Sequence, residues 1–570
     1  MLDTPPQFLP ARRFTDVDAQ TPSLADLEAR YESLRSRLVD SEDASVWLDV
    51  FREWDDLRRT FDTWGNLVEL RFQQNTGDAA AKAHLDLLNA LRPKVTGLNN
   101  VVKALFLASS QRDALEREIG SYAFALWQAD ISSYTPVIEA DSVEESKRCD
   151  DYVALLAQAS FDFRGERLNL SGIGKFDEHP DRDVRREAAQ AKWAFYAANR
   201  ADLDRIYDDL VGLRHGMAVK LGFENFVGLA YRRLSRTDYG PSDVARYRDE
   251  IVREVVPLAQ RIVERQAREL GLDRIALWDE HIFSRADAPK PPQRFDGMMD
   301  AARKAFDGVS DRVGEFGTLM IDGGFLDLQN RAGKAGGGFC TSFPTYGLPF
   351  IFANFNGTTH DVNVLVHEMG HAFQNYSSRE TPVLDYLWPT YEACEVHSMS
   401  MEFFTWPQLE RFFNGDATRY RQQHLQTSLL FLPYGAAVDH FQHLVYEHPD
   451  ATPAQRHQFW KDVEERYLPW RRYGGIDHLE RGGFWQHQRH IYQMPFYYID
   501  YTLAMCCALQ FWVKSLDDYD GALADYTALC ARGGEAPFQA LVRSAGLRSP
   551  FDSGALRGVV ERARRVLDLD

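Results

Sequence analysis

The sequence predicts a mainly α-helical protein carrying one small β-sheet. Three observations predict it: apolar residues recur at three- and four-residue spacing through most of the chain, alternating strand patterns are confined to one stretch, and glycines bracket that stretch. At 570 residues the chain exceeds what one hydrophobic core organises, so two or more packed lobes are expected. We place an N-terminal helical region over 1–195 and a catalytic region over 196–570.

The first helix follows Ser23 and Asp26, which stand at capping-box spacing, and its apolar face is Leu24, Leu27, Tyr31, Leu34 and Leu38. A second stripe of this kind, Leu203, Ile206, Tyr207, Leu210 and Leu213, lies in mid-chain. No stripe holds heptad spacing long enough for a coiled coil, and no fixed-period repeat appears, so the helices face a core. Gly323, Gly324, Gly333 and Gly336 to Gly338 then interrupt the helical pattern. Phe339, Thr341 and Phe343 alternate, and an apolar run from Phe350 to Phe355 lies between Pro349 and Asn356-Gly357. That reads as a hairpin, the one clear β element, directly before the residues with chemistry.

Hydrophobic residues make up 45% of the chain and charged residues 26%, an ordinary globular balance. Lys and Arg number 65 against 84 Asp and Glu, a formal net charge of -19, which repels phosphate backbones and anionic lipid. Nucleic acid and membrane are therefore not expected as partners. The stretch Met1 to Arg13 lacks a basic end followed by an apolar run, and the most apolar segment, Phe496 to Val513, is interrupted by Asp500 and Gln510. The six cysteines, Cys149, Cys340, Cys394, Cys506, Cys507 and Cys530, show no paired spacing. Reduced thiols and a cytoplasmic location are expected.

Thr358 and Asp361, again at capping-box spacing, precede an apolar segment that runs into His367-Glu368-Met369-Gly370-His371. On a helix, residues four apart share a face, so both imidazoles can reach one ion while Glu368 sits beside a metal-bound water. The flanking Val362, Val364, Leu365, Val366, Ala372 and Phe373 predict a buried helix, where two histidines and a glutamate without partners would be costly. A hydrolytic zinc site needs a third protein ligand and an open fourth position. Positions 374 and 377 are Gln and Ser, so no third histidine follows on the same segment. Pro389-Thr390 opens a further helix over Tyr391 to Phe404 that carries Glu392, Glu395 and Glu402. Glu395 and Glu402, seven apart, share a face, so one can bind metal while the other supports a ligand imidazole. Glu392 and His397 read as packed or solvated side chains, and Cys394 as a less suitable ligand than its neighbour Glu395.

These residues resemble the thimet-oligopeptidase-like zinc peptidases, and within them the oligoendopeptidase F and Pz-peptidase group. The resemblance lies in His367-Glu-Met-Gly-His371, in Glu395-Val-His-Ser-Met-Ser-Met-Glu402, and in His490-Ile-Tyr-Gln-Met-Pro-Phe-Tyr-Tyr-Ile-Asp-Tyr501. It runs from about Ser171 to the C-terminus, with a general helical likeness before that. It implies one Zn²⁺ per chain on His367, His371 and Glu395, with Glu402 supporting a ligand. It also implies that His490 and Tyr498 or Tyr501 bind the substrate carbonyl and stabilise the oxyanion; the choice among Tyr497, Tyr498 and Tyr501 stays open. The implied fold is a multi-helix, two-lobed shell around a deep channel, which restricts substrates to short, unfolded peptides.

The expected activity is a zinc-dependent oligoendopeptidase in which Glu368 is general base on the attacking water and then passes the proton to the leaving amine. The Phe350 to Asn356 strand is expected to add an extended peptide to its sheet edge. Two other functions compete. A carboxypeptidase would need Arg471, Arg472 or Arg489 to hold a free carboxylate. A non-catalytic peptide-binding scaffold with a structural metal would have no use for Glu368.

Overall fold

The computed structural model describes residues 5–285, 289–292 and 294–569; Met1 to Thr4, part of the start read above for a targeting signal, lie outside them. The chain is mainly helical, with small sheets, and divides into two compact, discontinuous units. The first comprises 1–131, 289–418 and 507–549; the second comprises 132–288, 419–506 and 550–570.

In the first unit, Leu24–Val39 begins where the sequence places it: Ser23 Oγ accepts from the Asp26 amide at 3.1 Å, and Leu27, Tyr31, Leu34 and Leu38 are buried. Two long helices follow, Ala44–Gln74 and Ala79–Ala108, each opened by an aspartate whose carboxylate accepts from first-turn amides. Their shared core is aromatic. Trp54, Phe106 and Trp127 are fully buried, with ring centroids 5.4 to 6.0 Å apart.

The expected hairpin forms between Phe339–Phe343 and Leu348–Phe355, with Phe339 opposite Phe352 and Phe343 opposite Leu348. A third strand, Leu326–Gln329, pairs in parallel on the other side of Leu348–Phe355, a pairing that four residues are too short to advertise. Leu348–Phe355 is thus the central strand. Both its hydrogen-bonding edges are occupied, so it cannot accept a peptide strand as expected from the sequence. Phe339–Phe343 is an outer strand instead, and there Asn66 Nδ2 already donates to the Ser342 carbonyl at 2.8 Å. Lys334 pins the glycine-rich loop beneath this sheet, its side chain enclosed and donating to the Asp327 carboxylate and carbonyl at 2.9 Å.

In the second unit, Arg200–Lys220 buries Leu203, Ile206, Tyr207 and Leu210, while Leu213 is only half-buried. A second, three-residue-strand hairpin, Phe161–Phe163 with Glu166–Leu168, turns on Arg164 and Gly165, both at positive φ. Arginine in place of the usual Asn or Asp at that turn hides it from a sequence reading. The helical run from Pro241 to Leu270 passes through one π turn at Ile251–Val255, next to Pro257, which has no N–H to give the helical ladder. Buried ion pairs tie distant segments of this unit together, notably Arg236 with Asp500 and Arg248 with Asp439.

Candidate metal centre

The helix Thr359–Ser378 carries the HExxH motif. Thr358 makes no side-chain cap; the Asp361 carboxylate instead accepts from the Asn356 and Gly357 amides at 2.9 and 2.6 Å, fixing the step from central strand to helix. Val362, Leu365, Val366, Met369, Ala372 and Phe373 bury one side. His367 and His371 stand four apart with ring centroids 5.0 Å apart and planes near perpendicular at 82°. The helix Tyr391–Phe404 packs against the motif helix at Gly370, where an added Cβ would lie 2.7 Å from the His397 carbonyl and Ser398 Cα. Only glycine at 370 lets the two backbones come this close.

That approach delivers Glu395. Its Oε2 lies 3.2 Å from His367 Nε2 and 3.5 Å from His371 Nε2. One ligand atom from each of the three residues falls within 4.8 Å of the others, the only such group among the described residues close enough to hold a metal ion. Two imidazoles and a carboxylate are the donor set of a hydrolytic zinc site. Glu402 Oε1 lies 2.7 Å from His367 Nδ1, which directs Nε2 of that ring toward Glu395. Ser398, which the sequence did not single out, donates to Glu395 Oε2 at 3.0 Å and so orients the carboxylate. Glu368 is buried, and its Oε2 has no hydrogen-bond partner. Such an orphaned acceptor beside this donor set fits a site that handles a proton.

Of the other residues on this helix, Cys394 donates its thiol to the Pro389 carbonyl at 3.3 Å and stands outside the donor group. His397 and Glu392 are fully buried; His397 Nδ1 lies 3.3 Å from Cys530 Sγ.

In the second unit, His490, Tyr497, Tyr498 and Tyr501 form one cluster, with the His490 ring 5.0 Å from Tyr498, 5.8 Å from Tyr501 and 5.9 Å from Tyr497. His490, Tyr498 and Tyr501 are half-buried, while Tyr497 is buried. The turn before the tyrosines passes through Phe496 at φ 67°, a conformation that costs a bulky residue about 1–3 kcal/mol. Its surroundings hold it there. Gln442 Oε1 accepts from the Phe496 amide at 2.9 Å, and Arg236 donates to the Phe496 carbonyl at 2.7 Å and to Asp500 at 2.6 Å.

Comparison with known families places this geometry. The profile of peptidase family M3 matches residues 176–296 and 308–561, and that of the peptidase M3 N-terminal domain matches 14–134. The chain belongs to peptidase family M3. Family likeness therefore reaches well before Ser171, where the sequence reading found only a general helical resemblance. An X-ray structure of an oligoendopeptidase F is 44% identical, covers 98% of each chain and has a TM-score of 0.92. A Pz peptidase A with a bound inhibitor is 42% identical over 98% of this chain and 99% of its own, also at 0.92. An oligoendopeptidase F from Bacillus anthracis is 38% identical over 99% of each chain, at 0.88. No match is found among curated proteins.

As an M3 peptidase the protein is a metalloendopeptidase, and its charges are arranged accordingly. Burial works to raise the Glu395 carboxyl, but His371 and His367 outweigh it and hold Glu395 well below the usual carboxylate range. At Glu368 the balance reverses: burial lifts the carboxyl above its usual range, offset only in part by the same two histidines. One carboxyl is thereby held toward its anionic form and its neighbour is made more basic. Burial, with His371 nearby, pushes His397 down to about 3, so that imidazole stays neutral. Enclosure, with Tyr501 beside it, pushes the Tyr498 phenol up, which keeps its proton available for donation. Arg471 is half-buried and donates through two nitrogens to Glu280 at 2.9 and 3.0 Å. Arg472 and Arg489 are turned to the Pro469 carbonyl and to Gln493. No helix among the described residues is long and apolar enough to cross a membrane.

Proposed function

We propose that this M3 metalloendopeptidase is a zinc-dependent oligoendopeptidase that hydrolyses internal bonds of short, unfolded peptides. The observation that carries the reading is the close group of His367, His371 and Glu395 beside the partnerless Oε2 of Glu368. The two imidazoles and Glu395 would hold one zinc, with Glu402 and Ser398 orienting their ligand atoms. When bound, zinc supplies Lewis acidity and acidifies the attacking water. Glu368 takes a proton from that water at Oε2 and delivers it to the departing amine. His490 and Tyr498, with Tyr501 as the alternative phenol, donate hydrogen bonds to the developing oxyanion. The outer strand Phe339–Phe343, rather than the central strand, offers an edge for an extended substrate.

Engagement of Arg471 with Glu280 supports an endopeptidase over a carboxypeptidase, because that guanidinium already faces a carboxylate. The free thiols of all six cysteines suit a reducing, cytoplasmic setting. Mass spectrometry of a peptide library digested with and without a chelator tests the whole reading. Expected are internal cuts in short peptides, lost with chelator and restored by zinc. Stepwise trimming from C-termini, or cleavage indifferent to chelator, would contradict it.

A further inference from the structure

The segment before the tyrosine cluster contains a chain of hydrogen bonds that ends on one nitrogen of His490. Tyr434 Oη donates to Gln488 Oε1 at 2.7 Å, and Gln488 Nε2 lies 2.8 Å from His490 Nδ1. An amide NH₂ has only hydrogens to offer, so Nδ1 must receive it as a bare lone pair. A neutral imidazole with an unprotonated Nδ1 carries its proton on Nε2.

Tyr434 is itself fixed. Its phenol is pushed well above its ordinary range by burial and by Tyr498, so it keeps its proton and remains a donor. The Arg471 guanidinium, immobilised by Glu280, lies 5.5 Å from the centre of its ring, and the Phe484 and Tyr498 rings pack edge-on against it at 6.0 and 5.8 Å. The phenol O–H meets the amide oxygen at 2.7 Å, which leaves the amide NH₂ for the histidine. Turning the amide over would require the phenol to rotate and accept and Nδ1 to take up the proton, so both hydrogen bonds and the tautomer change together.

We propose that Tyr434 and Gln488 are positioning residues that lock His490 as the neutral Nε2–H tautomer, so that it meets substrate as a hydrogen-bond donor and not as a base. This inference rests on the reading of His490 as a donor to the substrate carbonyl, and it explains how an imidazole can serve there without carrying charge. A donor to developing negative charge contributes only if its proton is on the nitrogen that meets substrate, which is Nε2 where Gln488 engages Nδ1; the other tautomer would offer a lone pair to an oxyanion. Gln488 lies two residues before His490, and Tyr434 lies on the separate helix Ala417–Glu447.

Two-bond ¹⁵N–¹H correlation spectra of the full-length wild-type protein, labelled at histidine, read the tautomer directly. The Nε2–H form is expected for His490, assigned by its loss in His490→Ala; the Nδ1–H form, or an even mixture, would overturn the proposal. In Gln488→Glu the carboxylate accepts where the amide donated, so at a pH where His490 is neutral its single proton should leave Nε2 and sit on Nδ1, and kcat is compared at that pH. With that switch kcat should fall roughly 10- to 100-fold at nearly unchanged KM, part of the roughly 10²–10³-fold that a lost oxyanion donor costs. Gln488→Glu with an unaltered His490 spectrum, or with a switched tautomer and wild-type kcat, would overturn it. His490→Ala separates the two levels: wild-type turnover there would remove the donor role itself, whereas an inactive His490→Ala beside an indifferent Gln488→Glu would remove only the lock. If Gln488→Glu does not fold, the wild-type spectrum alone decides.

Discussion

The metal-ligand cluster and the His490 to Tyr501 cluster are built on opposite plans. The first draws its candidate ligands and the groups bonded to them from two neighbouring helices, Thr359–Ser378 and Tyr391–Phe404, and those side chains support one another: Glu402 holds His367, and Ser398 holds Glu395. The second bears its histidine and tyrosines on one short, strained segment that relies on residues remote in sequence, among them Arg236, Tyr434 and Gln442. A site that must hold charges together benefits from donors on rigid, adjacent helices. A site that must aim neutral donors tolerates backbone strain, provided buried partners enforce it. Damage to the first should therefore appear as lost metal, and damage to the second as slower turnover with metal retained.

The largest effect should come from His371→Ala, which removes a ligand outright: metal content by elemental analysis and peptidase activity should both fall to background. Full metal in that variant would erase the distinction between the clusters. Next is Tyr498→Phe, which should keep its metal and its KM yet lose roughly 10²–10³-fold in kcat, the usual size of a lost oxyanion donor. Should Tyr501→Phe carry that loss instead, the phenol assignment moves by three residues and the comparison is sharpened. Glu402→Gln acts one step removed from the ion, through His367 Nδ1, and should weaken metal affinity about 10- to 100-fold in a chelator competition.

The smallest effect concerns pH. His478 in the second unit is buried, and burial, with the charges of His457 and Arg200, pushes it down to about 4. An unfolded chain protonates this imidazole below about pH 6.5, whereas the folded chain resists until about pH 4. The unfolded state therefore binds more protons throughout that window, and stability drops as pH falls through it, by at most about 3 kcal/mol from this residue. Denaturant midpoints measured between pH 7 and 4 should fall less steeply in His478→Gln than in the wild type.

How much could be read from sequence follows from the same contrast. The motif helix and the glutamate helix are legible because helical spacing alone puts His367 with His371 and Glu395 with Glu402. The Ser23 cap and the Leu27 to Leu38 face are legible for the same reason. Gly370 is only half legible: the motif tolerates any residue there, and the need for glycine arises from a neighbouring helix 2.7 Å from where its Cβ would be. Leu326–Gln329 escapes notice because a four-residue strand has no room to show a period, and without it the central strand looks like an edge. Arg236, Tyr434 and Gln442 leave no local signal at all. Their roles come from contacts spanning 54 to 264 residues, and a buried arginine looks in sequence like any surface one.

In the proposed function His367, His371 and Glu395 hold a catalytic zinc served by Glu368. Glu368→Gln tests it most directly, because the amide preserves shape while abolishing the base. Elemental analysis paired with turnover on an internally quenched peptide should find one zinc per chain and kcat reduced roughly 10²–10⁴-fold, the range expected for a lost general base. Near wild-type turnover, or loss of the zinc along with the activity, would contradict the account.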